Sequence, residues 1–228
     1  HMQAVILAAG EGTRMRPLTL DLPKPLIPVA GRPILEYIID ALPDEVDEII
    51  LVVGYKADMI RKHFGDSYNG RSIRYVHQWM PAGTAHALSM AEPLLRDERF
   101  IFMNGDDLHG THAFDKALAY PLALLAAEHE DPSKFGVIEL HADGTLASII
   151  EKPAVPSSNL ISTGAMILDK RIFNHEAVRH ESGEYYMTHP LGLFAKEHPI
   201  QVVTQDFWVP IGCPEDIVIA EEALKTRG

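Results

Sequence analysis

A glycine-rich segment follows the first apolar run of the chain. It reads Leu7-Ala8-Ala9-Gly10-Glu11-Gly12-Thr13-Arg14. Its small residues let backbone amides approach a polyphosphate closely, and Arg14 adds a positive charge at the end of the loop. A tight connection between a strand and a helix explains the glycines equally well. The segment is not a Walker loop, because no Gly-Lys-Ser/Thr follows, and it is not a complete dinucleotide fingerprint either.

The next feature is a lysine enclosed by prolines. Lys24 lies between Pro23 and Pro25 in the segment Leu22–Pro33. Proline restricts the backbone on both sides of this cation, which a lysine that serves only solubility does not need. We therefore expect Lys24 to hold an anion at a defined position.

Together, the loop and this lysine resemble the sugar-1-phosphate nucleotidylyltransferases. The signature of that family is Gly-x-Gly-Thr-Arg-x-x-Pro-Leu-Thr, followed by Pro-Lys-Pro and Pro-Val. Further segments resemble the family in the same order: Gln78 with Pro81–Ala87 for the base, Asn104–Asp107 for a metal, and Phe135–Ile138, Glu151–Pro153 and Ser162–Gly164 for the sugar and its phosphate. The resemblance covers nearly the whole chain and indicates a short form of the family, without a C-terminal β-helix domain.

This resemblance implies a transfer between two anions. An oxygen of a sugar 1-phosphate attacks the α-phosphorus of a nucleoside triphosphate, which yields an NDP-sugar and pyrophosphate. Cations must bring the anions together, and positioning with electrostatic stabilisation carries such a reaction. The Gly-Thr-x-His-Ala form after Gln78 resembles the members that transfer uridylyl groups, with thymidylyl transfer as the next alternative. UTP or dTTP is therefore the expected donor.

The charges and the resemblance assign roles to individual residues. Catalytic roles are expected for Arg14 and Lys24. Contacts with the nucleotide are expected from Leu7, Ala8, Ala9, Gly10, Gly12, Thr13, Gln78, Gly83 and Thr84. Contacts with the sugar or its phosphate are expected from Asn104, Gly136, Glu151, Lys152, Ser162 and Thr163. His86 lies in the base segment, where packing on a helix face is an equally good interpretation.

Asp106 is the expected ligand of a Mg²⁺ cofactor, because Mg²⁺ prefers hard oxygens and usually takes one or two carboxylates together with substrate phosphates. The family commonly carries a second metal-binding Asp in Trp-x-Asp-Ile-Gly, whereas this chain has Pro210 at that position. We therefore expect a site with one carboxylate, completed by water and phosphate oxygens. The same departure supports an alternative, a non-catalytic sensor of nucleotides or sugar nucleotides. A glycosyltransferase is a further alternative, but Asn104–Asp107 lacks its Asp-x-Asp motif.

Elements of two kinds must position these residues. Apolar runs alternate with helical patterns in the first half, as expected for parallel strands joined by crossover helices. Strands are predicted at Ala4–Ala8, Glu48–Gly54, Ser72–His77, Phe100–Asn104, Ser162–Asp169 and Ile200–Thr204, and a hairpin at Phe135–His141 and Leu146–Lys152. Helices are predicted at Pro33–Leu42, Lys56–Phe64, Thr84–Leu95, Tyr185–Lys196 and Pro214–Lys225.

These patterns predict an α/β fold: a Rossmann-like three-layer αβα sandwich with a mixed, mostly parallel central sheet and a small β-hairpin insertion that binds the sugar. We expect one nucleotidyltransferase domain over residues 2–228. Residues 2–110 are its expected nucleotide-binding half, and residues 111–228 its expected sugar-binding half.

Composition excludes several classes of partner. The 228 residues carry 20 Lys and Arg against 32 Asp and Glu, a net charge of −12, which argues against binding to nucleic acid. No apolar stretch is long enough for a membrane span, and the single Cys213 permits no internal disulfide. We therefore expect a cytoplasmic protein whose partners are an NTP and a sugar 1-phosphate, with a homodimer as an open alternative.

Overall fold

A mixed β-sheet forms the centre of the computed structural model, which describes residues 1–227. The strands are Met2–Ala8 (β1), Pro28–Val29 (β2), Arg32–Pro33 (β3), Val46–Val53 (β4), Ser67–Tyr68 (β5), Arg71–His77 (β6), Arg99–Asn104 (β7), Leu108–His109 (β8), Ala123–Glu128 (β9), Gly136–Leu140 (β10), Leu146–Glu151 (β11), Leu160–Asp169 (β12), Gln201–Thr204 (β13) and Trp208–Val209 (β14). The α-helices are Leu18–Asp21 (α1), Ile34–Asp40 (α2), Ala57–Phe64 (α3), Thr84–Ala91 (α4), Thr188–Glu197 (α5) and Glu215–Lys225 (α6). Short 3₁₀ segments occur at Thr13–Met15, Lys24–Leu26, Glu92–Leu94, Ala117–Ala119, Pro132–Lys134 and Lys170–Asn174.

The main sheet has ten strands, in the order β11-β10-β12-β7-β1-β4-β6-β5, with β9 and β13 attached beside β12. Strands β7, β1, β4 and β6 run parallel to one another. Strand β12 pairs antiparallel with β7, β9 and β10. The register places Ala8 beside Val53 and Leu7 beside Asn104, so the carboxyl ends of the parallel strands meet at one edge.

Side chains of β1 alternate between two apolar layers. Ala4 and Ile6 belong to a buried cluster with residues of α2, α3 and α6, whereas Val5 belongs to a second cluster with residues of α4 and α5. Helices therefore cover both faces of the sheet, because each face buries its own apolar set. The predicted α/β class and three-layer sandwich are confirmed. Within residues 1–227, no helix combines the length and apolarity that a bilayer crossing requires.

Strand β9 is an element that the sequence patterns do not indicate. Its sequence Ala-Leu-Leu-Ala-Ala-Glu consists of good helix formers. It nevertheless pairs with β12 on one side and with β13 on the other. Pairing on both sides overrides the local preference. The predicted hairpin is present as β10 and β11, in which Gly136 lies opposite Glu151.

Two helix ends differ by three or more residues from the limits that the patterns predict. Helix α4 ends before Pro93, which lies in the following 3₁₀ segment and lacks the N–H that a longer helix would use. Helix α5 begins at Thr188 rather than at Tyr185. Tyr185 donates its backbone N–H to Ala82 O and accepts from Ala85 N. These contacts attach Tyr185 to the start of α4 instead.

Candidate active site

A cavity of about 570 Å³ opens at the carboxyl edge of the parallel strands. The loops after β1, β4, β6 and β7 contribute to its walls. It is lined by Leu7, Ala8, Ala9, Gly10, Gly12, Thr13, Arg14, Lys24, Gln78, Gly83, Thr84, Asn104 and Asp106, among others. The structure therefore brings together all residues predicted for the nucleotide, the two cations predicted to be catalytic and the predicted metal ligand.

The loop after β1 has backbone N–H groups available for a ligand. Among the described residues, none accepts a hydrogen bond from the amides of residues 10–14. Gly12 has φ +60°, and its carbonyl accepts from Thr19 Oγ1 at 2.7 Å. A Cβ at residue 12 would lie 2.9 Å from Thr19 Cγ2, so the loop conformation requires glycine. Such a row of amides favours an anion with several oxygens.

Lys24 is held beside the cavity by two acceptors. Its side chain is 12% exposed, and Nζ lies 3.7 Å from Asp106 Oδ2. The same Nζ donates to the carbonyl of Ile211. Arg14 differs, because it is exposed and pairs with no carboxylate in residues 1–227. The cavity therefore has one fixed cation and one that is free to follow a substrate.

Two adjacent carboxylates follow β7 and have different surroundings. Asp106 lines the cavity and is 48% exposed. Asp107 accepts a hydrogen bond from Ile211 N at 3.0 Å. Desolvation and the neighbouring Asp106 carboxylate raise the pKa of Asp107 to about 8. Both polar groups of the Ile211 backbone are thus bound, one by Asp107 and the other by Lys24, which attaches the segment after Pro210 to the site.

The metal ligands that the protein offers at the cavity fit an ion that is bound mainly by substrate oxygens. Across residues 1–227, no group of three or more His, Cys, Asp and Glu is arranged to hold a metal. Asp106 offers one accessible carboxylate, and Mg²⁺ readily takes phosphate and water oxygens at its remaining positions. Pro210 contributes no side-chain ligand. These residues fit the one-carboxylate site that the sequence predicts.

Gln78 follows β6 at the same edge of the sheet. Its side chain lines the cavity, and the residue is 8% exposed. Gln78 Nε2 lies 2.8 Å from Nδ1 of His86, the third residue of α4. Trp79 is 82% exposed and also lines the cavity. This wall therefore combines an oriented amide with an exposed aromatic ring.

The start of α4 is attached to the segment that precedes α5. Gly83 has φ +92°, and a Cβ there would lie 2.5 Å from Tyr185 O. Thr84 Oγ1 accepts a hydrogen bond from Met187 N at 2.9 Å. The predicted residues Gly83 and Thr84 thus shape the cavity by joining two chain segments that are distant in sequence.

Glu151 lines a second cavity of about 460 Å³, whereas Lys152 lines neither cavity. Burial raises the pKa of the Glu151 carboxyl. Lys152 Nζ donates to Tyr186 Oη at 3.2 Å and lies 4.9 Å from the centre of the Tyr186 ring. Tyr186 lines both cavities, and its hydroxyl donates to Glu184 Oε2 at 2.6 Å. The predicted sugar-phosphate lysine is therefore connected to the two cavities only through its contact with Tyr186.

Gly136 and Ser162 line neither of these two cavities. Gly136 is buried, and a Cβ there would lie 2.9 Å from Thr188 Cγ2. Ser162 Oγ accepts from Gly164 N at 3.1 Å. Both residues support the strands next to Glu151, so the structure gives them a local packing role beside the predicted sugar contacts.

Thr163 differs from the sugar-contact prediction. The residue is 2% exposed. Its hydroxyl is hydrogen-bonded to Gln205 Oε1 and lies 3.2 Å from Leu125 O. Side chains alternate along β12, and Thr163 is on the side that faces the interior. Its polar group is used within the core and is not available to a ligand.

Tyr186 and Glu184 are cavity residues that the sequence patterns do not indicate. Tyr186 falls at the beginning of the predicted helix Tyr185–Lys196, and Glu184 directly precedes that helix. The sequence feature that could have indicated these two residues is the short run Gly183–Tyr186, in which a glycine precedes an acidic residue and two tyrosines. Local patterns do not show that this run meets Lys152, because the contact depends on the placement of β11.

Comparisons with known proteins show which family this chain resembles along its length. The model of the family described as nucleotidyl transferase matches residues 3–227. The chain is 37% identical to the UTP–glucose-1-phosphate uridylyltransferase AglF of Haloferax volcanii, over 98% of this chain and 97% of AglF. It is 36% identical to the bifunctional protein GlmU of Methanocaldococcus jannaschii over 98% of its own length, but it spans only 54% of GlmU.

A solved structure supports the fold. A putative glucose-1-phosphate thymidylyltransferase from Bacillus anthracis, in complex with a sucrose, superimposes with a TM-score of 0.87. The match covers 97% of this chain and 94% of that chain at 23% identity, so it shows a shared architecture. The family match along residues 3–227 and the identity to AglF confirm the resemblance found in the sequence, and the chain belongs to the nucleotidyl transferase family.

Proposed function

We propose that this protein transfers a nucleoside monophosphate from UTP or dTTP to a sugar 1-phosphate and releases pyrophosphate. The observation that carries the proposal is the cavity at the carboxyl edge of the sheet. Unpaired loop amides, Arg14, Lys24 and Asp106 line one continuous space there. AglF, a relative that this chain matches along nearly its full length, is named a UTP–glucose-1-phosphate uridylyltransferase.

The proposed reaction is a displacement at phosphorus. An oxygen of the sugar phosphate forms a bond with the α-phosphorus, and the bond from that phosphorus to the bridging oxygen of the β-phosphate breaks. Pyrophosphate leaves with the bonding electrons. The attacking oxygen is already ionised near neutral pH, so no side chain has to remove a proton. Positioning and charge stabilisation are what the protein must supply.

Each group of residues at the site has its own part in binding the substrates and stabilising their charge. The amides of residues 10–14 bind the triphosphate oxygens, and Arg14 stabilises the charge of the departing pyrophosphate. Lys24, fixed by Ile211 O and Asp106, holds the reacting phosphates at a defined place. Lys152 binds the phosphate of the sugar, and Glu151 accepts hydrogen bonds from sugar hydroxyls.

Members of this family generally use a divalent metal ion, and we propose Mg²⁺ here. Bound Mg²⁺ would neutralise negative charge on the phosphate oxygens. Asp106 is the side chain that would hold it, since its carboxylate is exposed to the cavity. We also propose a cytoplasmic location, and a division of labour in which residues 2–110 bind the nucleotide and residues 111–228 bind the sugar.

A substrate panel tests the proposal. The protein is incubated with UTP, dTTP, CTP, ATP or GTP, each with glucose 1-phosphate or another sugar 1-phosphate, with Mg²⁺ or with EDTA. We expect pyrophosphate release and an NDP-sugar product with UTP or dTTP, only when both substrates and Mg²⁺ are present. Asp106→Asn should lower kcat/KM at least about 100-fold. Asp115→Asn is the matched control, because Asp115 is a surface carboxylate with a side chain 62% exposed and should leave kcat/KM unchanged.

Two results contradict the proposal. Tight nucleotide binding without pyrophosphate release for any sugar 1-phosphate would support the non-catalytic sensor instead. Full activity of the Asp106→Asn variant would place the metal elsewhere.

A further inference from the structure

The side chains of Gln78 and His86 form a pair in the wall of the cavity. Gln78 Nε2 lies 2.8 Å from His86 Nδ1. In residues 1–227, no protein group forms a hydrogen bond with Gln78 Oε1. One end of the Gln78 amide is therefore bound within the protein, and the other end is available to a ligand.

The backbones that carry this pair are fixed. Gln78 N donates to Val53 O at 2.8 Å, and a Cβ at Gly54 would lie 3.0 Å from Gln78 O, so the Gln78 main chain packs closely against the end of β4. His86 lies in α4, whose Ala85 N donates to Tyr185 O at 2.9 Å. Because both main chains are fixed, the variable that remains is the orientation of the Gln78 side-chain amide. This orientation determines whether the nitrogen or the oxygen of the amide faces His86.

That choice matters because a glutamine amide has a donor end and an acceptor end. When His86 Nδ1 accepts from Nε2, one Nε2 hydrogen and the whole of Oε1 remain for a base. Uracil and thymine offer an N3–H donor beside the O4 acceptor, which match Oε1 and Nε2–H in that order. Cytosine offers an N3 acceptor beside an N4–H₂ donor, which is the reverse order. At one position of the base, the two kinds of pyrimidine require opposite orientations of the amide.

We propose that His86 is a positioning residue that fixes the orientation of the Gln78 amide and thereby selects nucleotides with a uracil-type base edge over those with a cytosine edge. The inference rests on the proposed function only in requiring that the cavity binds a nucleoside triphosphate. Since uracil and thymine share the same edge, His86 separates UTP and dTTP from CTP and does not separate UTP from dTTP.

The test compares nucleotide discrimination in variants of His86. The dissociation constants of UTP, dTTP and CTP are measured by calorimetry, and kcat/KM for each is measured where turnover occurs. We expect His86→Ala to lower the UTP-to-CTP preference at least about 10-fold, because the freed amide can turn over to pair with cytosine. Aspartate places an acceptor, and no donor, near the position of Nδ1. His86→Asp should therefore retain the preference within about 3-fold, although its charge weakens binding of every triphosphate alike.

Further variants separate positioning from general damage to the cavity. Gln78→Ala should lose the preference to the same extent, and Gln78→Ala with His86→Ala should lose no more than either alone. The UTP-to-dTTP ratio should stay unchanged in every variant, and thermal unfolding confirms that each variant is folded. The inference is overturned if His86→Ala keeps the preference, if His86→Asp loses it like His86→Ala, or if the UTP-to-dTTP ratio shifts with it.

Failure of the proposed function would look different. A wild-type protein that binds UTP in preference to CTP but releases no pyrophosphate leaves the inference about His86 standing, because binding alone reports it. A wild-type protein that binds UTP and CTP equally overturns it.

Discussion

The two cations of the cavity differ in how much freedom they have. Lys24 is 12% exposed and is tied to Asp106 and Ile211, whereas Arg14 is exposed on the glycine-rich loop. A buried ammonium beside a carboxylate keeps its place without a ligand, and an exposed guanidinium gains order when a polyphosphate binds it in bidentate fashion. We therefore propose that Lys24 fixes the position of the reacting phosphates and that Arg14 stabilises the negative charge that develops as the bond breaks.

Replacing Arg14 tests this assignment. Arg14→Met removes the charge but keeps an unbranched side chain, and we expect kcat/KM to fall about 100-fold, which corresponds to about 2.7 kcal/mol of lost transition-state stabilisation. Arg16→Met is the matched control, because Arg16 is exposed two residues away and does not line the cavity. Steady-state kinetics of pyrophosphate release measure both. Equal losses in the two variants would mean that general loop charge, rather than Arg14, matters.

At the scale of elements, the junction between α4 and the segment before α5 shapes the nucleotide side of the cavity. Gly83 has φ +92° and ψ 176°, a backbone region that is essentially restricted to glycine. Its lack of a side chain lets the backbone of Tyr185 approach. Thr84 then accepts from Met187 N, so both partners of the junction are fixed. This junction therefore supports the cavity wall that contains Gln78 and His86.

Gly83→Ala should disrupt the junction. The added Cβ combines an unfavourable backbone conformation with an overlap at 2.5 Å from Tyr185 O, and we expect a loss of about 3 kcal/mol in the free energy of unfolding. Affinity for UTP should also fall at least about 10-fold. Urea unfolding and calorimetry are the measurements.

The control for this change is Gly70→Ala in the turn between β5 and β6. Gly70 has φ +78°, but a Cβ there meets no atom within 4 Å. Gly70→Ala should lower the free energy of unfolding by about 1 kcal/mol, which is the strain of a positive φ alone. It should leave the affinity for UTP unchanged. If Gly83→Ala is no worse than Gly70→Ala, the junction tolerates a side chain and does not determine the shape of the cavity.

At the scale of the whole molecule, a buried polar chain connects β8, β9, β12 and the residue that follows β13. His109 of β8 is 5% exposed, and its Nδ1 lies 3.0 Å from Gln205 Nε2. Gln205 Oε1 accepts from Thr163, which also approaches Leu125 O. Burial lowers the pKa of His109 to about 4. Folding therefore requires a neutral imidazole at this place.

The stability of the fold should consequently depend on pH through His109. An unfolded chain binds the imidazole proton below about pH 6.5, and the folded protein does so only below about pH 4. The unfolded state is therefore favoured as the pH falls through this window. We expect this group to remove about 2 kcal/mol of unfolding free energy between pH 7 and pH 5.

Urea unfolding of the wild type and of His109→Asn at each pH measures this effect, because asparagine keeps a polar group near Nδ1 and does not titrate. Asp107 also titrates with a raised pKa, but it is present in both proteins and cancels in the difference. The advantage of the wild type over the variant should shrink as the pH falls from 7 to 5. Parallel curves would show that His109 is not held neutral by the fold.

The strands that carry the site were predictable because each is a local apolar run between helical patterns. The residues Gln78 and Asp106 were identified through the resemblance to the family, and the parallel strands that precede them bring both to one edge of the sheet. Strand β9 was not predictable, since its alanines and leucines favour a helix until β12 and β13 pair with it. Thr163 was misassigned for a similar reason: the side of β12 that faces the interior depends on its neighbours.

The amino-acid sequence by itself determined the glycine-rich loop, the proline-restricted lysine, the carboxylate after β7 and the alternation of strands and helices along the first half of the chain. These features follow from backbone freedom and apolar spacing, which are properties of neighbouring residues. Only the tertiary structure decided that Ile211 is bound by both Lys24 and Asp107, that Tyr186 meets Lys152, and that Thr163 is buried. Those contacts join residues far apart in the chain, and sheet order and packing determine which of them meet.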